Sequence, residues 1–99
     1  MVEIIWEFRV QPERHREFEF NYDSNGTWAG LFRKSAEYHE TILLRDSSQS
    51  GRYLTVDRWT SEEAFRHFKQ EFATEYAEID ERCEALTESE RLVGIFERV

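Results

Sequence analysis

The stretch Tyr53-Leu54-Thr55-Val56-Asp57-Arg58-Trp59-Thr60-Ser61-Glu62-Glu63-Ala64-Phe65 changes its period partway along. Up to Trp59 it is rich in β-branched, aromatic and leucine residues, the composition of a strand. From Ala64 onward the residues Ala64, Phe65, Phe68, Phe72, Tyr76, Ile79, Cys83 and Leu86 recur at spacings of three and four, which is one face of a helix. Thr60 and Glu63 have the spacing of a capping box, with the hydroxyl accepting an orphan N–H and the carboxylate reaching back, so the sequence predicts that the helix starts there. A bend near Phe72-Ala73-Thr74 is expected in a helix of this length.

Upstream, the polar turn Asp46-Ser47-Ser48-Gln49-Ser50-Gly51 separates Arg52–Trp59 from a similar run, Tyr38–Arg45, and the pair reads as a hairpin. Before it, Phe18, Tyr22, Trp28, Leu31 and Phe32 keep helical spacing across the break Asp23-Ser24-Asn25-Gly26, predicting helix, turn, helix, with Pro12 at the start. At the N-terminal end Val2, Ile4, Trp6, Phe8 and Val10 alternate with Glu3, Glu7 and Arg9, a period of two that fits only a strand. After Thr87-Glu88-Ser89-Glu90, the short run Leu92-Val93-Gly94-Ile95-Phe96 is the predicted last strand. The order β-α-β-β-α-β with right-handed crossovers has one compact solution. It is the ferredoxin-like α+β fold, a four-stranded antiparallel sheet in the order 4-1-3-2 with the helices on one face.

The even positions of the first strand must face the helices, so Ile5 points away with Glu7 and Arg9. On the other three strands both parities carry large apolar residues, such as Ile42 and Leu44 against Leu43, or Leu92 and Phe96 against Val93 and Ile95. Each aliphatic side chain left in water forfeits about 1.5 to 3 kcal/mol, and a contiguous patch of this kind exceeds what a monomer usually exposes. A homodimer packed sheet against sheet through a twofold axis is therefore expected.

The 99 residues are expected to form one domain, residues 1–99. No apolar run approaches the roughly 18 residues of a membrane span, and the opening residues do not read as a secretory signal. Lysine and arginine total 13 against 21 acidic residues, a net charge of −8, so neither nucleic acid nor an anionic membrane surface is an expected partner. The single Cys83 can close no intrachain disulfide and lies at helical spacing from Tyr76 and Ile79, as a core residue would. The expected compartment is the reducing cytoplasm.

The strand ending in Trp59 and followed by Ser61-Glu62-Glu63-Ala64-Phe65, the first strand stopping at Gln11-Pro12, and the terminal Leu92-Val93-Gly94-Ile95-Phe96 together resemble the antibiotic-biosynthesis monooxygenase-like domains of the dimeric α+β barrel superfamily. The resemblance covers nearly the whole chain. It implies a pocket between sheet and helices in which a small, flat aromatic or quinol-type substrate lies beside O₂ and supplies the electrons itself, with no cofactor and no metal. Heme-degrading members carry an Asn in mid-first strand, where this chain has Trp6. Histidines that many members place in the second helical region align here with about Phe68 and Ala73, and His67 is one residue off, about 100° round the helix.

Within that frame Asp57 is the candidate general base, sharing one face of its strand with Tyr53 and Trp59, because burial would raise its pKa toward neutrality. Tyr53 and His67 are the other candidate catalytic residues. Trp6, Trp28, Trp59, Phe65 and Phe68 are the candidate substrate-binding walls. Each also has a structural reading: Asp57 in a salt bridge, for instance to Arg9; the aromatics as plain core; and Glu63, His67 and Glu71 as a solvated helix stripe instead of metal ligands. His15 and His39 read as surface, while Tyr22 and Tyr76 are either core or donors to a bound carbonyl. The alternative function is a non-catalytic dimeric barrel that binds a small apolar ligand or serves as an accessory protein. An open cavity of roughly 300 Å³ or more lined by Trp6, Tyr53, Asp57 or His67 separates the enzyme from close-packed core.

Overall fold

In a computed structural model that describes residues 1–99, alternation along β1 (Val2–Val10) buries Ile4, Phe8 and Val10 while Arg9 stays exposed. The chain continues through α1 (His15–Tyr22), α2 (Thr27–Phe32), β2 (Tyr38–Arg45), β3 (Arg52–Trp59), α3 (Glu62–Glu71), α4 (Ala73–Cys83), a 3₁₀ turn at Glu84–Leu86, and β4 (Thr87–Glu97). All three strand pairings are antiparallel, in the order β2-β3-β1-β4. This is the ferredoxin-like arrangement expected. No helix is long and apolar enough to cross a membrane.

Element ends differ from expectation in three places, while the bend of the long helix falls where it is expected. The first helix starts at His15, with Pro12 in the preceding turn. The cap of α3 is Ser61, whose hydroxyl accepts from the Ala64 N–H at 3.0 Å. Thr60 is not free to cap, because its N–H donates to the Glu37 carbonyl at 2.9 Å and its hydroxyl to the Glu37 carboxylate. The long helix breaks at Phe72 (φ −110°, ψ 35°), where the bend was expected. Finally, β4 begins at Thr87 and pairs from Val10↔Thr87 to Val2↔Glu97, so its polar first half joins the sheet through the backbone ladder.

A register shift in β4 also alters which side chains share a face. Gly94 pairs with Ile5 but Leu92 pairs with Trp6, leaving Val93 as the extra residue of a bulge. Leu92 and Ile95 consequently share the helix side, and Phe96, opposite Glu3, lies on the far side and not among the core aromatics.

The core between sheet and helices is aromatic. Phe18 stacks on Tyr22 at 4.2 Å between centroids, and Phe32 meets Trp59, Phe68 and Tyr38 at 5.5 to 5.6 Å. Gly26 lets α2 fold back against α1, since a Cβ there would lie 2.7 Å from the Asn21 carbonyl. That close turn sets Trp28 against Tyr22.

On the far face Ile5, Ile42, Leu54 and Val56 form an apolar strip, continued by Leu44 (47% exposed) and Phe96 (48% exposed). Ion pairs flank it at both ends. Glu3 meets Arg58 and Arg98, and Glu7 meets Arg52 at 2.5 Å and Arg91 at 3.1 Å.

Candidate active site

The pleat of β3 turns Tyr53, Thr55, Asp57 and Trp59 toward the helices. At the middle of the sheet this face borders a cavity of ≈ 150 Å³. Its sheet side consists of Trp6 and Phe8 from β1, Thr41 from β2, and Thr55 and Asp57 from β3. The helices contribute Tyr22, Trp28, Phe32, Phe65 and Tyr76, and Asp80 and Glu90 complete it. The volume is about half of the ~300 Å³ expected to mark an enzyme pocket, so that size criterion is not met; the space is open and lined by Trp6 and Asp57, and its occupant is small or extends past the rim.

Asp57 is 8% exposed and pairs with no cation. Its Oδ1 accepts from the Thr41 hydroxyl at 2.6 Å, and Thr41 in turn shares a hydrogen bond of 2.8 Å with the Tyr38 hydroxyl. No hydrogen bond from the chain reaches Oδ2. Burial pushes the Asp57 carboxyl up to about 6, against the opposing effect of the Thr41 bond. The expected alternative, an ion pair with Arg9, does not form: Arg9 points to the opposite face and bonds Gln49 at 2.9 Å. Burial, followed by the charges of Asp80, Asp57 and Glu90, pushes the Tyr76 phenol up to about 12, which keeps it a proton donor at neutral pH. Burial likewise raises Tyr22.

The structure gathers only some of the candidates. Trp6, Trp28, Phe65 and Asp57 line the cavity. Trp59 and Phe68, 0% and 2% exposed, are packed core behind it. Tyr53 sits four residues from Asp57, about 13 Å along the strand, and its hydroxyl donates to the Glu19 carboxylate. It does not reach the cavity. His67 projects outward from α3 with its side chain 76% exposed and lies 3.9 Å from Glu71, so it faces solvent with the rest of that stripe. No cluster of three or more His, Cys, Asp or Glu side chains is arranged to hold a metal. Cys83 is buried and its thiol raised by that burial, as for a core residue.

Sequence reading missed Thr41, Asp80 and Glu90. Thr41 left the parity of β2 as its only signal. Asp80 and Glu90 are ten residues apart on different elements, and nothing local marks them as facing one opening.

A family model described as antibiotic biosynthesis monooxygenase matches residues 1–82. Among solved structures, SnoaB from Streptomyces nogalater, described as a cofactor-independent oxygenase, is similar at TM-score 0.80 and 21% identity, covering 99% of this chain and 92% of that one. A protein from Bordetella bronchiseptica is similar at TM-score 0.81 and 21% identity over 99% and 96% of the two chains. A third, from Deinococcus radiodurans, reaches TM-score 0.78 at 14% identity over 100% and 93%. At these identities the likeness is one of fold. No curated protein matches.

Proposed function

The chain belongs to the antibiotic biosynthesis monooxygenase family, and from that premise we propose that it is a cofactor-independent monooxygenase in which Asp57 is the general base. The observation that carries the reading is a buried carboxylate without a counter-cation, one oxygen unbonded, on the wall of an aromatic cavity. A base whose pKa lies near 6 is ionised at neutral pH yet still basic enough to take a proton from an acidified carbon or phenol.

The substrate is a small aromatic or quinol-type molecule with a ring-activated CH₂, held flat between Trp6, Trp28 and Phe65. Asp57 removes one proton. The resulting carbanion reduces O₂ and bonds to it, and Asp57 returns the proton to the peroxide oxygen. Loss of the second C–H proton, with cleavage of the O–O bond, leaves a ketone and releases the other oxygen atom as water. The chain supplies orientation, exclusion of water and one proton relay. Tyr76 and Tyr22 supply hydroxyls for a bound carbonyl.

The experiment is oxygen uptake with a panel of quinols and anthrone-like phenols. Asp57→Asn is expected to lower the rate by about 10²- to 10⁴-fold while the protein stays folded. Equal rates in the two proteins would remove Asp57 from the chemistry, and no uptake with any substrate would favour the ligand-binding alternative.

The assembly proposed with this function is a homodimer through the far face of the sheet. Leu44 and Phe96 are each about half exposed in the single chain beside Ile5, Ile42, Leu54 and Val56, and a second copy would cover them. As a single domain spanning residues 1–99, each protomer keeps its own cavity on the opposite face.

A further inference from the structure

We propose that the cavity selects its substrate by charge, with Asp80 and Glu90 at its rim favouring an aromatic molecule that carries a protonated amine and rejecting one that carries a carboxylate. This rests on the cavity being the active site, as proposed above. Every ionisable group on the cavity lining that can be charged at neutral pH is acidic: Asp57, Asp80 and Glu90, with no Lys, Arg or His among the twelve lining residues. Asp57 is more than nine-tenths buried and presents an oxygen that nothing in the chain bonds, so one of these acids belongs to the interior of the site.

The rim is where the charge accumulates. Asp80 and Glu90 are exposed, and they also border an adjoining hollow of ≈ 310 Å³ that contains Glu81 and Glu84. A ligand too long for ≈ 150 Å³ extends past these two carboxylates. Partial burial raises the Glu90 carboxyl, and repulsion from Asp80 and Glu84 adds to it, the electrostatic condition that a bound cation relieves. None of these acids makes an ion pair with a basic side chain, although ten Arg or Lys ion pairs form elsewhere on the chain. A protonated amine near Asp80 and Glu90 would also stabilise the substrate carbanion once Asp57 has taken its proton, so selection and chemistry act in the same direction.

The test is calorimetric binding of three probes of the same shape, naphthylmethylammonium, naphthylmethanol and naphthoate, at about 10 mM salt, where screening is weak. The full chain is expected to bind the ammonium probe about ten-fold tighter than the alcohol and the carboxylate about ten-fold weaker, the effect of one to two charges at an effective surface dielectric. In an Asp80→Asn/Glu90→Gln double variant the three affinities should converge to within about two-fold of one another. Trp6→Ala should weaken all three alike. If the alcohol binds and depends on Trp6 but naphthoate binds as well as the ammonium probe, charge selection is wrong and the cavity stands. An order of affinities that survives the double variant also overturns the proposal. If no probe binds, the pocket reading falls and takes the proposal with it, whereas absent oxygen uptake with the charge order intact overturns only the oxygenase chemistry.

Discussion

Asp57 is held against its own electrostatic preference, and that has a consequence for stability with a definite sign. Its folded-state pKa of about 6 lies above the ordinary aspartate value of 3.8. Below about pH 4 the carboxyl is protonated in folded and unfolded chains alike and costs nothing. As the pH rises through about 6 the unfolded chain ionises freely while the folded one resists, so stability is lost across that window. Two pKa units correspond to a penalty on the order of 3 kcal/mol at neutral pH. Asp57→Asn, which keeps shape and an acceptor for Thr41, is therefore expected to unfold at higher temperature than the parent at pH 7.5, with the gap closing at pH 4. Catalysis has the opposite dependence, because the base works only when ionised: uptake should rise with pH with an apparent pKa near 6. Thr41→Val removes the hydrogen bond that favours the ionised form, so that limb should move to higher pH with the maximal rate largely preserved. His67→Ala, at a solvent-facing position, should leave uptake within about two-fold.

At the scale of elements, the cavity depends on how α3 and α4 are started and interrupted. Ser61 caps α3, and Ser61→Ala should lower stability by about 1 kcal/mol, read as a lower urea midpoint at unchanged slope. The break at Phe72 re-aims the helical face, so Phe65 from α3 and Tyr76 and Asp80 from α4 converge on one opening. The periodicity from Ala64 to Leu86 announced a long apolar face and the place of its bend. It did not announce the direction of the bend, which is set by packing of Phe72 and Tyr76 against the core. Similarly, alternation predicted the inward face of β1 correctly, whereas β3, apolar on both parities, had its inward face decided by its register with β1. Alternation failed in β4, where the extra residue at Val93 exchanges the faces of the residues that follow.

At the scale of the whole molecule, a four-stranded sheet covered by helices on one side leaves the apolar strip of its other side to be covered by something else. Leu44 and Phe96 are exposed enough in the single chain that a charge at either costs little in folding, yet both would be buried between sheets. A Leu44→Glu/Phe96→Glu variant is expected to sediment as one chain at micromolar concentration where the parent sediments as two, with the thermal transition of the protomer retained. A parent that sediments as one chain would remove the sheet-to-sheet dimer.

The order of elements, the inward face of the first strand, and the sharing of one strand face by Tyr53, Asp57 and Trp59 were legible in the sequence, because they depend on local periodicity and chain connectivity. That this face points to the helices was not, since both parities of that strand are apolar. A strand's side chains alternate strictly, and a βαββαβ order admits few topologies. What only the tertiary structure decided is which inward residues share one space. Tyr53 is as inward as Asp57 but is spent on Glu19, thirty-four positions away, and Trp59 is as inward again but enclosed. Thr41, Asp80 and Glu90 enter the site from three other elements. Their meeting depends on distances across the fold, and those are set by how the helices and the sheet pack together, for which no spacing along the chain is a measure.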